Sequence, residues 1–194
     1  MAQQISLFGA APRAFCDDER GRIVYYPAVF SPEEAQRFFA LFESTLSWSH
    51  ETMWMYDKTV DVPRLIARFP EGTERPQELL HVQSRIEAFL QERFTSVSLQ
   101  LYRGCNDSVS WHNDHREELI DLPTIALLSL GATREMQIRT KDAPRESYSI
   151  DLEAGSLMVM SGRAQEFWEH TIPKCKRPVG VRISVALRQR RISA

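Results

Sequence analysis

The sequence predicts an α+β fold with a double-stranded β-helix (jelly-roll) core and two outer helices on one side. Three observations predict it. Two segments with helical periodicity come early in the chain, a series of short strand-like segments follows them, and turn residues separate those strands at short intervals. Helices that precede an unbroken run of short strands are typical of a barrel with helices packed outside it.

The chain of 194 residues is long enough for one sizeable core and a short appendage. We predict that residues 1–20 form a flexible N-terminal arm and that residues 21–194 form a single domain. The domain is expected to begin with a short strand, Arg22–Tyr26, which leads into the first helix.

The first helix has clear start signals. Ser31 can cap it, Pro32 suits the first helical position, and Glu34 completes a capping box. A second helix is predicted from about Pro76 to Phe94, where apolar residues recur at helical spacing.

Residues 47–72, between the helices, contain two breaking prolines and are predicted to be irregular or to form short strands. After the second helix, Val97–Tyr102 alternates as a strand does, and Thr124–Leu130 is a nearly continuous apolar run, as expected for a buried strand. Further strands are predicted at Glu135–Thr140, Tyr148–Leu152, Ser156–Ser161, Trp168–Ile172 and Val181–Arg188.

The composition restricts the function classes. Hydrophobic residues make up 43% and the net charge is -2, which excludes a strongly basic nucleic-acid binder on bulk charge but not a local basic face. The three cysteines, Cys16, Cys105 and Cys175, are odd in number and widely spaced, which favours reduced thiols. Since there is also no signal-like segment and no apolar run of membrane-spanning length, we expect a cytoplasmic protein without a membrane partner.

The most informative pattern is His112-x-Asp114 followed by a distant His170. Two imidazoles and a carboxylate are the ligands of the facial triad that holds Fe(II) and leaves coordination positions open for oxygen chemistry. In an extended segment, residues i and i+2 point to one face, so His112 and Asp114 can reach the same ion. The alternative is a loop pair and a surface histidine. The other histidines, His50, His81 and His115, are expected to be exposed or locally bonded.

A basic strand follows the last candidate ligand. Arg182, Ser184, Ala186 and Arg188 alternate with apolar residues and share one side of the strand. An arginine that points into a barrel is costly unless it meets an anion, so Arg182 or Arg188 is a candidate for binding a dicarboxylate cosubstrate. In an isolated strand, both arginines would instead lie on a solvated face.

The ordered series of motifs resembles the AlkB family of Fe(II)/2-oxoglutarate dioxygenases over about residues 20–190. The segment Leu101–Asp114 resembles the family's metal-binding signature, Ser129–Arg134 its next core strand and turn, and Gly155–Met160 the strand before the second histidine. His170 and Arg182-x-Ser184-x-x-x-Arg188 fall where the family has His and Arg-x-Asn-x-Thr-x-Arg.

The resemblance implies residue roles. His112, Asp114 and His170 would bind iron. Arg182 would pair with the distal carboxylate of 2-oxoglutarate, Arg188 would support its keto-acid end, and Tyr102 would hydrogen-bond it. The strand departs from the family pattern, because Ser184 replaces the usual Asn and Ala186 the usual Thr.

The resemblance also implies a reaction. With Fe(II), 2-oxoglutarate and O2, the family oxidises an N-alkyl carbon of a nucleic-acid base and releases an aldehyde, succinate and CO2. In DNA this reaction reverses alkylation damage directly. A damaged base must leave the stack to reach buried iron.

Candidate substrate residues lie in and after segment 48–72, where the family carries a nucleotide-recognition lid. Trp54, Tyr56 and Phe69 are candidates for stacking on a flipped base, and the alternative, which is favoured for any one of them alone, is that it fills core. Arg64, within Val62-Pro63-Arg64, resembles the lid's Pro-Arg element, and Arg134 resembles a substrate-side arginine of the family.

The N-terminal arm carries Gln4-Ile5-Ser6-Leu7-Phe8, which resembles the bacterial sliding-clamp-binding pentapeptide. A flexible arm with a glutamine and a Leu-Phe pair suits an apolar pocket on a partner. The alternatives are an end that docks on its own domain and a chance match.

Three functions therefore remain in view. The first is a dealkylase of N-alkylated DNA, or of RNA. The second is a related 2-oxoglutarate oxygenase that acts on protein or small molecules and would not need the lid. The third is a non-catalytic metal-binding barrel or clamp-bound adaptor. A monomer is expected in each case.

Overall fold

The computed structural model describes residues 11–55, 58–70, 72–114 and 116–191. The strands are β1 Arg13–Asp18, β2 Gly21–Tyr26, β3 Ser49–Met55, β4 Lys58–Phe69, β5 Ser96–Tyr102, β6 Val109–His112, β7 Ile125–Gly131, β8 Arg134–Thr140, β9 Ser147–Leu152, β10 Leu157–Ser161, β11 Trp168–Ile172 and β12 Arg182–Arg188. The helices are α1 Pro32–Thr45, α2 Gln77–Leu90 and the short α3 Ala164–Phe167, with a 3-10 turn at Arg116–Glu118.

The strands form two antiparallel sheets. The larger has the order β1-β2-β10-β7-β12-β5-β4-β3, and the smaller has the order β6-β11-β8-β9. Strands that are distant in sequence, such as β5, β7 and β12, become neighbours in the larger sheet. The predicted jelly-roll core is therefore confirmed.

The two long helices cover the outer face of the larger sheet. Ser31 caps α1 as predicted: its hydroxyl accepts a hydrogen bond from the Glu34 amide (3.2 Å), and the Glu34 carboxylate accepts one from the Ser31 amide (2.9 Å). The helices pack on alternate residues of the central strands. This outer core includes Phe38, Phe42, Leu79, Val82, Ile86, Leu99, Leu128, Ile183, Val185 and Leu187.

A second apolar core lies between the sheets. It joins Leu127, Met158 and Ala186 of the larger sheet to residues of the smaller one, including Ile138 and Ile150. Because side chains alternate along a strand, each central strand gives one set of residues to the helices and the other to the barrel interior. This alternation directs the polar residues of β12 inward.

Three predictions about elements were wrong in part. Strand β1 lies inside the predicted arm, where it pairs with β2 and extends the larger sheet. The lid region forms the long hairpin β3–β4, which tolerates Pro63 because this residue lies at the register shift between His50 and Thr52 of β3 and before the pairing with β5 begins at Leu65. Helix α2 ends at Leu90, four residues early, because Gln91 adopts a left-handed conformation (φ 57°).

None of the described helices is both long and apolar enough to cross a membrane.

Candidate active site

The two candidate histidines face each other on adjacent strands of the smaller sheet. His112 ends β6 and is the register partner of His170 in β11, and their ring centroids are 4.2 Å apart. The antiparallel pairing of β6 with β11 thus joins residues that are 58 positions apart in the sequence. Asp114 follows two residues after His112 and is buried.

The protonation states suit metal binding. The Nδ1 of His112 lies 2.8 Å from the carbonyl oxygen of Ser110, which can only accept, so this nitrogen donates and Nε2 keeps its lone pair. Burial lowers the pKa of His170 to about 3 and also lowers the pKa of His112. Both imidazoles are therefore neutral at pH 7, the form that binds metals.

Asp114 is held as a carboxylate. Burial alone would raise its pKa, but the positive charge of Arg188 and its hydrogen bond to the carboxylate hold the pKa below its ordinary value. Arg188 donates from Nη2 to Oδ1 of Asp114 (2.9 Å) and from Nη1 to the Ser98 hydroxyl (3.0 Å). The other carboxylate oxygen, Oδ2, is buried without a hydrogen-bond partner.

This donor set fits Fe(II). A buried carboxylate oxygen without a partner, beside two neutral imidazoles, is costly unless a cation completes it. In the described part of the chain, no three His, Cys, Asp or Glu side chains yet converge closely enough to hold an ion. The Arg188 contact to Oδ1 is consistent with this, and closing the triad requires these side chains to turn toward one another.

The backbone of Asp114 is fixed by a residue that sequence reasoning missed. The Asp114 amide donates to Oε1 of Gln165, a buried side chain of α3, at 2.8 Å. Nothing in the sequence around Gln165 points to this contact, because α3 lies 51 residues further along the chain.

Arg182 is a buried cation in the barrel interior. It lies opposite Tyr102 in the β5–β12 register, with its guanidinium carbon 5.3 Å from the centroid of the Tyr102 ring. Its Nη2 donates to the Ser129 hydroxyl (2.9 Å), whereas Nε and Nη1 are buried without partners. Burial lowers its pKa to about 10, so Arg182 remains charged at pH 7.

The surroundings of Arg182 suit a dicarboxylate. Arg134 lies over the same tyrosine ring at 5.6 Å, so two cations flank Tyr102. Ser184 is buried on the same strand and has Gln100 and Ser129 as register partners. Ser129 was also missed, although a serine inside the apolar run Thr124–Leu130 is a signal that could have identified it.

The candidate substrate residues are dispersed. Arg64 donates to the Ser108 carbonyl (3.3 Å), and its charge acts on the pKa of His112, which places it near the triad. Phe69 packs against the outer core and also lines a cavity of about 420 Å3 that includes Arg188. Only the backbone of Trp54 is described, in β3, and Tyr56 and the pentapeptide 4–8 lie outside the described residues.

Arg134 is buried behind the site rather than exposed to it. Its guanidinium donates to the carbonyl oxygens of Gly104 (2.9 Å), Asp107 (2.9 Å) and Pro173 (2.7 Å). Since these carbonyls belong to the β5–β6 and β11–β12 loops, the geometry favours a role in fixing both loops over direct contact with a base.

The fold and the site together define a class of protein. A jelly roll with two facing histidines, a nearby carboxylate and a buried arginine is the arrangement of a non-haem iron oxygenase with an anionic cosubstrate. The chain belongs to the 2OG-Fe(II) oxygenase superfamily, whose family model matches residues 68–193. This family uses Fe(II), 2-oxoglutarate and O2.

Curated relatives and solved structures agree with this membership. The chain is 32% identical to human alpha-ketoglutarate-dependent dioxygenase alkB homolog 3 over 173 residues, covering 79% of this chain and 60% of that protein. It is 25% identical over 187 residues to human DNA oxidative demethylase ALKBH2, covering 84% and 72%. The first relative is thus spanned over only about 60% of its length.

A crystal structure of a 2OG-Fe(II) oxygenase family oxidoreductase from Burkholderia pseudomallei is similar in fold. Its TM-score is 0.56 at 16% identity, and the match covers 85% of this chain and 84% of that one.

Proposed function

We propose that this protein is a dioxygenase that uses Fe(II), 2-oxoglutarate and O2 to dealkylate N-alkylated bases in DNA, for direct reversal of DNA damage. The products would be an aldehyde, succinate and CO2. The observation that carries the proposal is Arg182, a buried guanidinium with two unpartnered nitrogens in the same interior as the His112–His170 pair. The similarity to AlkB homologues supports a nucleic-acid substrate.

His112 Nε2, His170 and the Asp114 carboxylate would hold the iron. When bound, Fe(II) with 2-oxoglutarate supplies the oxidising chemistry that the side chains of this chain lack. The hydrogen bond from His112 Nδ1 to the Ser110 carbonyl fixes the tautomer that presents Nε2. Arg188 and Gln165 hold the side chain and backbone of Asp114 in place.

Arg182 would bind the distal carboxylate of 2-oxoglutarate through its unpartnered nitrogens. Tyr102 and Ser184 share its interior face and would complete the polar contacts of the cosubstrate. Among the described residues no anion pairs with Arg182, so a dicarboxylate would gain a strong charge-assisted contact there.

The nucleic-acid base would approach from the side of Arg64, which lies in the middle of β4 and near His112. We propose that the β3–β4 hairpin covers a base that has left its stack, and stacking by Trp54 and Tyr56 stays a prediction. An unpaired base enters at lower cost, which favours single-stranded substrate or a lesion that disrupts pairing.

The decisive experiment is a panel of oligonucleotides incubated with iron and 2-oxoglutarate, with aldehyde and succinate measured together. Methylated single-stranded DNA, methylated duplex DNA, methylated RNA and unmethylated strands form its arms. We expect matched amounts of both products on methylated DNA. Faster turnover of RNA would transfer the assignment to RNA, and turnover without any methylated strand would favour a protein or small-molecule substrate.

The pentapeptide Gln4-Ile5-Ser6-Leu7-Phe8 leads to a separate proposal, that the arm binds the bacterial sliding clamp. A peptide of residues 1–12 should bind purified clamp, and the double change Leu7→Ala and Phe8→Ala should remove binding by the full chain. Absence of binding by the peptide, together with unchanged binding by the double variant, would refute this proposal.

A further inference from the structure

Cys105 and Cys175 lie side by side although 70 residues separate them in the sequence. The amide of Cys175 donates to the carbonyl oxygen of Cys105 at 3.0 Å. Such a hydrogen bond sets two α-carbons roughly 5–6 Å apart, inside the range that a disulfide spans. Both side chains are half-buried free thiols.

The two cysteines belong to the two loops that flank the candidate site. Cys105 lies between Tyr102 and His112, and Cys175 lies between His170 and Arg182. Arg134 already ties these loops together through the carbonyls of Gly104 and Pro173. The native fold therefore brings the backbones of the two cysteines together without any rearrangement of the sheets.

The surface around Cys175 is positively charged. Lys174 and Lys176 flank it, Arg177 follows, and all three are exposed. Among the described residues, none of these three cations forms an ion pair. Their field attracts anions and raises the local concentration of a small anionic disulfide.

We propose that Cys105 and Cys175 form a redox-active dithiol that an anionic low-molecular-weight disulfide, such as glutathione disulfide, oxidises to an intramolecular disulfide. The Cys175 thiolate attacks one sulfur of the small disulfide and releases one thiol, which leaves a mixed disulfide on Cys175. Cys105 then attacks the Cys175 sulfur and releases the second thiol. Two protein thiols are oxidised, one small disulfide is reduced to two thiols, and the protons of the cysteines pass to the leaving thiolates.

Cys16 provides an internal control. It is buried, and its thiol donates to Asp18 Oδ1 (3.3 Å) and to the Gly21 carbonyl (3.2 Å). Burial raises the pKa of Cys16 to about 11, so it stays protonated at neutral pH and reacts poorly.

The bridge would hold together the β5–β6 and β11–β12 loops, whose flanking strands carry Tyr102, His112, His170 and Arg182. It would slow the opening of both loops and raise the melting temperature by roughly 5–10 °C, because a cross-link between distant residues restricts the unfolded chain. This inference is independent of the proposed dealkylation, since it concerns thiol chemistry alone.

The test treats the full-length protein with glutathione disulfide, without denaturant. Intact mass, peptide mapping and amide hydrogen exchange follow the product. We expect a monomer that has lost the mass of two hydrogen atoms, a linked Cys105–Cys175 peptide, unmodified Cys16, slower exchange in both loops and a higher melting temperature. Cys175→Ser should block the bridge, whereas Cys16→Ser should leave it unchanged.

Three outcomes would overturn the proposal: stable mixed disulfides without the intramolecular bridge, a bridge between two copies of the chain, and a bridge that forms only after unfolding. If Cys105→Ser retains the mixed disulfide on Cys175, the proposed order of attack stands. If the mixed disulfide collects on Cys105 in Cys175→Ser but not on Cys175 in Cys105→Ser, that order is wrong.

Discussion

Arg182 and Arg188 lie six residues apart on the same face of β12, but they differ in how many hydrogen-bond and charge partners they have among the described residues. Arg188 donates to a carboxylate and a hydroxyl, whereas Arg182 donates to one hydroxyl and keeps two buried nitrogens without partners. Arg188 thus forms an ion pair with Asp114, and this pair restrains the Asp114 side chain. Among the described residues, Arg182 has no anionic partner, so we propose that one strand supplies both a structural arginine and a ligand-binding arginine.

The largest effect is expected at Asp114, which pairs with Arg188 and which we propose as an iron ligand. Asp114→Ala removes one candidate ligand and leaves Arg188 without its carboxylate. We expect at least a ~100-fold loss of succinate formation, because even the removal of an outer-shell partner commonly costs 10–100-fold. Turnover with iron and 2-oxoglutarate measures it, and retained turnover would refute the triad assignment.

The next largest effect is expected at Arg182, and it tests whether Arg182 binds a ligand whereas Arg188 is structural. Arg182→Met should raise the KM for 2-oxoglutarate roughly 100-fold, since a charge-assisted contact contributes about 2–3 kcal/mol. Without 2-oxoglutarate, the variant should melt at the same temperature as the parent or higher, because an uncompensated buried cation has been removed. A drop of several degrees would mean that Arg182 is a structural residue like Arg188.

The matched change at the other arginine should act in the opposite direction on stability. Arg188→Met leaves the buried Asp114 carboxylate without its partner and should cost about 2 kcal/mol, or roughly 4–8 °C in melting temperature. The control is Arg191→Met, whose partner Asp121 is 93% exposed, so that this pair contributes little. Equal losses in the two variants would remove the distinction between a buried pair and a surface pair.

The alternation of apolar and polar residues along β12 was predictable, because successive side chains of a strand point to opposite faces. Arg182 and Arg188 alternate with Ile183 and Leu187 as predicted, and the structure puts the apolar set against the helices. The start of helix α1 at Ser31 was also predictable, because its capping signals lie close together in the sequence. The β3–β4 hairpin and β1 were not predicted, because Pro63 interrupts the strand pattern of β4 and β1 has only two buried residues, Phe15 and Cys16.

In the candidate site, too, some features could be predicted from the sequence and others could not. His112, Asp114 and His170 could be grouped from spacing and family motifs, but their facing geometry depends on β6 pairing with β11. The contact between Gln165 and Asp114 could not be predicted, since it depends on the placement of α3. Arg134 shows the reverse case, because its sequence position suggested the substrate side and its hydrogen bonds hold two loops.

A smaller effect is expected at Gln165, which holds the other side of Asp114. Gln165→Leu removes the acceptor for the Asp114 amide and should weaken apparent Fe(II) affinity by roughly 10-fold, as loss of an outer-shell contact does. Gln165→Glu keeps an acceptor oxygen and should retain most of the affinity. Iron titration of turnover distinguishes the two variants, and equal losses would mean that Gln165 acts through packing alone.

The smallest effect extends the comparison of paired and unpaired cations to the surface. Lys174, Lys176 and Arg177 are exposed in the loop after His170 and form no ion pair within the described residues, so we expect them to bind phosphates as we propose that Arg182 binds a carboxylate. Replacing all three by Ala should weaken oligonucleotide binding a few-fold near 0.15 M salt. It should also reduce the slope of log affinity against log salt by up to about 2, because each phosphate contact releases counterions. The KM for 2-oxoglutarate should not change, because the loop charges lie outside the barrel interior. An unchanged salt slope would mean that these cations are only solvated, and that an unpaired cation in this protein indicates a ligand only when it is buried.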